Sequence, residues 1–403
     1  MKLFVIFLGA LIWLLLYAYV CKKHRSAINF FTPTALTMLP KFYILEMMYL
    51  GYFINTYSDW SYIYIYICYS VAFTSFVFGF FCSTTATLKV KPLSPSQSKL
   101  IFFALLFTVF SFIFFSPILI AFKSYIFTPR VIYEKTRTGY GVYFFTSILF
   151  SQLAIIFLFY TYKKNKIISL FLILLNIILI YLHGVKSPLF TLAVNYFIYG
   201  RYVEKKIISF SKFFILASIL SVGIIFVFML TFRGSVNTVF ASMAYYADYT
   251  RNYALLIDRE QSSYWGRLLF ESEVFARLPR VIYPDKPLDF GYLILDRKYF
   301  PESFYDNKGV PSFGMGEYFA DFGYLSVFFI MVSFWIKGCF LRIFYNTLKK
   351  DDNVYIYIPF AFLCGANLLP LGYGWMFWEH CIISVLIYFM FKFSFGVKYR
   401  RSL

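Results

Sequence analysis

Arginines and carboxylates are concentrated in one stretch, Arg233–Phe322, of a chain that is otherwise strongly apolar. A planar guanidinium group donates paired hydrogen bonds to phosphate oxygens, so several arginines in one polar stretch favour an anionic, phosphate-bearing ligand. A loop of this length without its own structure is usually functional or disordered, and its many aromatic residues argue against disorder. Its arginines are Arg233, Arg251, Arg259, Arg267, Arg277, Arg280 and Arg297, and it has no cysteine or histidine.

One segment of this stretch, Pro279–Pro287, is rich in proline. Proline fixes the backbone and restricts the residue before it, so we expect an extended or turning course. Such a rigid segment would hold Arg277, Arg280 and Lys286 towards one ligand.

A second segment, Pro311–Gly323, contains glycines directly before the next apolar run. Glycine lets the backbone turn tightly, so we expect this segment to mark the junction of loop and membrane. Glu317 and Asp321 lie four residues apart there. A carboxylate at a helix start also interacts favourably with the helix dipole, so a structural role remains open for both.

The composition indicates a polytopic membrane protein. Of the 403 residues, 61% are hydrophobic and only 14% are charged, whereas soluble domains have about 25% charged residues. The net charge of +19 does not indicate nucleic-acid binding. Most of the excess lies in short runs between apolar segments, where lysine and arginine orient the helices. We therefore expect membrane lipid as a partner and no nucleic acid.

The apolar runs predict an all-α fold with about eleven transmembrane helices. Basic runs occupy alternate connections, which predicts a periplasmic N-terminus and a cytoplasmic C-terminus. The predicted parts are a bundle of about eight spans over residues 1–232, a large periplasmic loop with amphipathic helices over 233–317, and about three spans over 318–403. The predicted spans are Leu3–Val20, Ala35–Ile54, Tyr62–Cys82, Leu100–Phe122, Val142–Tyr162, Ile167–Leu182, Leu189–Tyr202, Phe210–Phe232, Tyr318–Leu341, Val354–Leu371 and Met376–Phe393.

Two basic residues lie on the predicted outer face outside the large loop. Arg130 belongs to the connection Lys123–Gly141, whose positive charge departs from the topological bias. Contact with lipid headgroups and a share in an anion site explain it equally well. Lys186 lies at a helix boundary, where a lysine that extends towards the headgroups is the simpler explanation.

Metal and cofactor chemistry have little support in the sequence. The six cysteines lie in or at the edges of apolar segments, and no P-loop, GxGxxG opening a helix or HExxH motif occurs. The acidic pairs Asp258–Glu260 and Glu271–Glu273 have a spacing that some metal-dependent enzymes use, but arginines surround them. We expect neither a metal nor a cofactor.

The loop segments Leu278–Pro287 and Gly316–Gly323, with the sequences LPRVIYPDKP and GEYFADFG, resemble those of bacterial oligosaccharide repeat-unit polymerases, the Wzy-type O-antigen polymerases. The many spans and the late outer loop are similar too. The step Gly184–Ser187, with Lys186, looks like a Gly-x-Arg-Ser/Gly step of that family. Lysine keeps the charge there and loses the bidentate geometry.

The resemblance implies a glycosyltransferase-C-like fold and a metal-independent glycosyltransferase of the bacterial inner membrane. Its donor and acceptor would be undecaprenyl-pyrophosphate-linked oligosaccharides, with a chain-length regulator protein as a possible partner. The growing glycan would pass to the non-reducing end of a lipid-linked repeat unit. In that chemistry Glu317 is the first candidate for the base and His380 the second. The candidate substrate-binding residues are Arg233, Arg251, Arg277, Arg280, Lys186, Asp285, Lys286 and Arg130.

Three other functions compete with polymerisation. An O-antigen ligase would be expected to carry a catalytic histidine in the large outer loop, and Arg233–Glu317 has none. A flippase or another transporter would be expected to show internal repeats and short loops. An assembly subunit without activity is the third, and the sequence does not exclude it.

Overall fold

The protein is described by a computed structural model. It covers residues 1–82, 85–90, 93–136, 140–185, 187–215, 218–219, 240–241, 243–244, 248–260, 263–278, 282–287, 289–305, 312–364, 377–393 and 398–399. Three of the predicted ligands, Lys186, Arg233 and Arg280, and most of the predicted span Phe210–Phe232 lie outside these residues.

The described chain is almost entirely helical, as the apolar composition predicts. The helices are α1 Lys2–His24, α2 Thr32–Leu39, α3 Leu45–Tyr52, α4 Asp59–Cys82, α5 Gln97–Ala121, α6 Pro129–Lys135, α7 Gly141–Thr161, α8 Lys166–Leu182, α9 Ser187–Tyr202, α10 Tyr249–Arg259, α11 Arg267–Arg277, α12 Leu293–Tyr299, α13 Pro301–Tyr305, α14 Gly316–Phe322, α15 Ser326–Lys350, α16 Val354–Cys364 and α17 Phe377–Phe393. Two short strands, β1 Leu93–Ser94 and β2 Lys398–Tyr399, pair antiparallel.

Five helical stretches in the described residues are long and apolar enough to cross a membrane. They confirm the prediction of a polytopic membrane protein, whereas the count of eleven spans stays a prediction. The predicted span Ala35–Ile54 is divided, because α2 and α3 are joined by a π-helical turn at Pro40–Ile44. Proline lacks the N–H that continues the α-helical ladder, which accounts for a break at this point. The five are Lys2–His24, Asp59–Cys82, Gln97–Ala121, Gly141–Thr161 and Gly316–Lys350.

Helices α4 and α15 pack with their backbones in contact. A Cβ on Gly79 would lie 2.3 Å from the carbonyl oxygen of Trp335. A Cβ on Gly338 would lie 2.3 Å from that of Phe76. Small residues allow this close approach, which is the usual basis of helix association in lipid. The pair fixes α15, and therefore the end of α14 that precedes it, against the first half of the chain.

One end of the bundle collects the N-terminus and parts of the large loop. The Lys2 Nζ donates to the Asn55 Oδ1 at 3.3 Å and also to the carbonyl of Tyr57. The Asp258 carboxylate, on α10, accepts hydrogen bonds from the Ser58 N–H at 2.9 Å and the Ser58 hydroxyl at 2.7 Å. The start of α1, the 53–58 connection and α10 therefore share one end.

The connections that carry the basic runs meet at the other end of the bundle. The Arg201 Nη2 donates to the carbonyl of His24 at 2.8 Å, and Lys163 forms an ion pair with Glu204 at 2.8 Å. The Leu88 N–H donates to the Thr347 hydroxyl at 3.0 Å. Because α1 is one helix of 23 residues, its two ends lie on the order of 30 Å apart.

Candidate functional site

The site is organised around α14, which forms residues Gly316–Phe322 of the second loop segment. Helix α14 is buried against α10, and a Cβ on Gly316 would lie 2.8 Å from the ring of Tyr253. A larger residue at this position would have to displace that buried ring. The glycine that the sequence assigns to a turn is therefore also required by close packing.

Asp321 holds the start of another helix. Its carboxylate accepts hydrogen bonds from the N–H groups of Leu268 at 3.0 Å and Leu269 at 2.8 Å, in the first turn of α11. The N-cap residue of α11, Gly266, has φ +83 and offers no side chain. A carboxylate from α14 therefore satisfies donors that a local cap would usually satisfy. The sequence suggests that Asp321 acts at the start of its own helix. In the structure it instead caps α11, where its partner Leu268 lies 53 residues earlier in the chain.

Helix α11 in turn holds the start of α12. The Gly291 N–H donates to Glu271 at 2.9 Å, and the Tyr292 N–H donates to the Ser272 hydroxyl at 3.1 Å. The Tyr292 hydroxyl then donates to Asp321 at 3.4 Å. These bonds join the helices α11, α12 and α14 into one unit. A side chain at Gly291 would collide with Ser272, since its Cβ would lie 2.1 Å from the hydroxyl oxygen.

The candidate base Glu317 is enclosed in this unit. It lies in the first turn of α14 and is 2% exposed. It lies close enough to Tyr292 and the adjacent Tyr318 to interact with both electrostatically. Glu317 is therefore a buried carboxyl group within this unit and not a surface residue.

Arg277 connects α11 with the start of α17. Its Nε donates to the Glu379 Oε1 at 2.9 Å, and its Nη1 donates to the Glu273 Oε2 at 2.6 Å. His380, the second candidate for the base, follows Glu379 directly and is buried with its ring 4.6 Å from that of Phe362. The structure therefore brings a predicted ligand, Arg277, into contact with Glu379, the residue directly before the predicted catalytic residue His380.

The two described candidates of the Pro279–Pro287 segment have different surroundings. The Lys286 Nζ donates to the carbonyls of Phe275 and Leu278, the latter at 3.1 Å, and lies 4.4 Å from the ring centroid of Phe290. A cation at a helix C-terminus satisfies carbonyls and the helix dipole, so Lys286 stabilises the end of α11. Asp285 is exposed.

Arg251 has its partners in a different part of the chain. It lies on α10, is 6% exposed and has its guanidinium 3.7 Å above the ring centroid of Tyr49. Its Nη1 donates to the carbonyl of Ala244 at 3.2 Å. The buried carboxylate of Glu46 interacts with it electrostatically and accepts a hydrogen bond from Tyr62 at 2.6 Å. Arg251 thus joins the loop to α3 and α4.

Arg130 lies beside the Gly184–Ser187 step. It is exposed, forms an ion pair with Glu134 at 3.0 Å and lies 4.9 Å from the ring centroid of Tyr133. Gly184 has φ +69, and a Cβ there would lie 2.1 Å from the carbonyl oxygen of Pro129. Two segments that the sequence assigns separately to an outer anion site therefore adjoin. Lys186 itself lies outside the described residues.

The two acidic pairs bind separate partners. Burial alone would raise the pKa of Asp258, but hydrogen bonds from Ser61 and Ser58 outweigh it and lower that pKa. Glu260 accepts from Lys298 at 2.9 Å and from Tyr299 at 3.0 Å. In the described part of the chain, no group of three or more His, Cys, Asp or Glu residues is arranged to hold a metal.

The two residues of the second pair, Glu271 and Glu273, also have different partners, and their pKa values shift in opposite directions. Burial raises the pKa of Glu271, but the Gly291 N–H and the Arg267 guanidinium outweigh it, so the pKa is lowered overall. Burial raises the pKa of Glu273, against the opposing effect of Arg277 and with a further contribution from Glu379. Glu273 and Glu379 were not among the predicted ligands. A charged residue at the start of an apolar run was the available signal for Glu379.

An apolar helical bundle with long spans and a unit of arginines, carboxylates and a histidine at one end is that of a multi-pass membrane protein. No family model matches the sequence, and no solved structure matches the chain. Curated O-antigen polymerases of Salmonella typhimurium (strain LT2) and Salmonella typhi are each 35% identical to this chain over 387 residues, which is 96% of this chain and 94% of the relative. The chain belongs to the O-antigen polymerase family. Such polymerases are glycosyltransferase-type enzymes of polysaccharide biosynthesis.

Proposed function

We propose that this protein polymerises O-antigen or a related surface polysaccharide at the periplasmic face of the inner membrane. It would transfer the growing glycan from undecaprenyl pyrophosphate to the non-reducing end of a lipid-linked repeat unit. The observation that carries the proposal is the identity of 35% to two O-antigen polymerases over nearly the whole chain. The absence of histidine from Arg233–Glu317 argues against the alternative of an O-antigen ligase.

The proposed topology has the N-terminus in the periplasm and the C-terminus in the cytoplasm, with about eleven spans in a glycosyltransferase-C-like arrangement. The alternation of basic runs supports it, and so does the gathering of those runs at one end of the bundle. Contacts of Lys2 and of Asp258 with the 53–58 connection support a common outer side for the N-terminus and the large loop. The proposed division is 1–232, 233–317 and 318–403.

The leaving group of the proposed reaction is a pyrophosphate, and arginine is well suited to stabilise the charge that develops on it. We assign this role to Arg251, Arg280 and Arg233. The stack of Arg251 on Tyr49 supports its assignment, because a guanidinium with a fixed plane loses less freedom on binding. Arg277 is the weakest pyrophosphate ligand of the set, since two carboxylates already neutralise its charge.

The acceptor hydroxyl needs a base, and Glu317 is the first candidate with His380 second. We propose that both line a common substrate cleft, and the bond from Arg277 to Glu379, which joins α11 to the start of α17, supports this placement. Arg130, Lys186 and Lys286 would add positive potential at the membrane surface, and exposed Asp285 would contact glycan. The donor and acceptor are lipid-linked oligosaccharides, and a chain-length regulator protein is a further proposed partner.

Glycan electrophoresis of a deletion strain, complemented with the gene, tests the proposal. Loss of a polymerase leaves lipid capped by a single repeat unit, and complementation restores the ladder of longer glycans. Bare lipid core with long glycan retained on the carrier would instead identify a ligase. An unchanged ladder would exclude both activities.

A further inference from the structure

Arg277 lies between two glutamates that come from different parts of the chain. Glu273 is one helical turn before it on α11, and Glu379 opens α17. The two ion-pair distances are 2.6 Å and 2.9 Å. Between 24% and 29% of each of the three side chains is exposed, so the cluster is only partly buried.

The cluster leaves three buried atoms without hydrogen-bond partners in the described part of the chain. They are the Arg277 Nη2, the Glu273 Oε1 and the Glu379 Oε2. An unmade hydrogen bond at a buried polar atom costs about 1–3 kcal/mol, and more for a charged group. A ligand with one acceptor for the guanidinium and two donors for the carboxylates would satisfy all three atoms.

A sugar meets this requirement. Each hydroxyl both donates and accepts, so neighbouring hydroxyls can donate to the two carboxylates while one accepts from the guanidinium. With both carboxylates ionised, the cluster carries a net charge of −1, which disfavours a pyrophosphate anion. The raised pKa of Glu273 reduces this charge but does not make the cluster cationic. A neutral polyol, whose hydroxyls both donate and accept, fits these atoms better than an anion does.

The position of the cluster fits a part of the substrate close to the reacting atoms. Glu379 directly precedes His380, and Glu273 interacts electrostatically with Tyr318, the neighbour of Glu317. The cluster therefore includes the residue directly before one candidate for the base and acts electrostatically on the neighbour of the other. It also depends on the packing of α11 against α14, which Asp321 maintains.

We propose that Glu273, Arg277 and Glu379 form a subsite that binds the hydroxyl groups of a sugar in the repeat unit, and that these residues determine which glycan the enzyme accepts. The inference rests on the proposed polymerase function and gives Arg277 a glycan ligand in place of the pyrophosphate. Glu273 and Glu379 become specificity-determining residues, because the pattern of hydroxyls has to match their two carboxylate oxygens.

The test uses the full-length protein in lipid nanodiscs and two soluble probes. One probe is the repeat-unit oligosaccharide released from the strain's own O-antigen, without lipid or phosphate. The other is inorganic pyrophosphate. Two quantities are measured: binding of the oligosaccharide, and inhibition of polymerisation by pyrophosphate. The proteins compared are the wild type, Glu379→Gln, Glu273→Gln and Arg277→Lys. Arg267→Lys is the control, because Arg267 also forms an i,i+4 ion pair with a glutamate on the same helix, at 2.6 Å, but is exposed.

We expect each variant of the cluster to weaken oligosaccharide binding about tenfold or more, with inhibition by pyrophosphate unchanged. Arg267→Lys should leave both unchanged. Unaltered oligosaccharide binding in the cluster variants, or weaker pyrophosphate inhibition in Arg277→Lys, would overturn the subsite. A wild type that does not polymerise lipid-linked repeat units would instead refute the polymerase function.

Discussion

The carboxylate of Asp321 accepts a hydrogen bond from the N–H of Leu268 at 3.0 Å, across 53 residues of sequence. Asp321 is fully buried, and it anchors the helix that carries Glu273 and Arg277. A residue of the second loop segment therefore positions α11, the helix that precedes the first segment. This relationship makes Asp321 a positioning residue for the proposed substrate cleft, although it need not touch the substrate.

Asp321→Asn tests this role. An amide has one acceptor oxygen in place of two, so one of the two N–H groups of α11 loses its partner. Loss of a cap costs about 0.5–2 kcal/mol. We expect the variant to insert normally, to show faster proteolysis within residues 263–278, and to make shorter glycans. Exposed Glu302→Gln is the control. Proteolysis and glycan length that match the wild type would remove Asp321 from this role.

Glu317→Gln separates catalysis from a helix-start role. A general base contributes about 10²–10⁴-fold in rate, and glutamine cannot take the proton. A carboxylate that only favours the helix dipole contributes about 0.3–1 kcal/mol. We expect a stably inserted protein that leaves mostly single-repeat product, with a milder effect for His380→Ala. A purified variant that polymerises at nearly the wild-type rate would move the role to His380.

The pyrophosphate ligands are tested by Arg251→Ala and Arg280→Ala, which we expect to abolish long glycans while the protein still accumulates in the membrane. Lysine at either position should restore activity only in part, because it cannot donate bidentately. Arg259→Ala is the control for Arg251, since Arg259 is exposed on the same helix. Full activity in both alanine variants would show that these arginines are not ligands.

Asp296 predicts a pH dependence of stability. It is 7% exposed on α12, and burial raises its pKa to about 8, whereas the unfolded value is about 3.9. Between these values the folded protein holds a proton that unfolding releases, so rising pH destabilises the fold. We expect Asp296→Asn to raise the Tm of the purified protein more at pH 8 than at pH 5. Parallel Tm curves for variant and wild type would contradict this.

Topology is tested with a reporter that is active only in the periplasm. The alternation of basic runs predicts activity for a fusion near Asp289 and none for a fusion near Lys164. Both fusions are checked for accumulation in the membrane. The reverse pattern would refute the topology together with the catalytic site on the outer face.

The sequence alone determined the class of protein and the location of the polar chemistry. Long apolar runs are sufficient to predict helices in a membrane, because the bilayer supplies no hydrogen-bond partners for other backbone structures. The family resemblance also rested on short contiguous segments, Leu278–Pro287 and Gly316–Gly323, and the relatives at 35% identity confirm it. All of these are local properties that are visible along the chain.

The tertiary structure decided which partners the polar residues have. Asp321 caps α11 across 53 residues, and Arg277 meets Glu379 across 102. Lys286 donates to a carbonyl at the C-terminal end of α11. Arg251 stacks on the ring of Tyr49, which belongs to the first part of the chain. Side-chain type does not specify such pairs. They depend on which helix faces meet, and that follows from packing at positions such as Gly79, Gly316 and Gly338, where a single Cβ would force the helices apart.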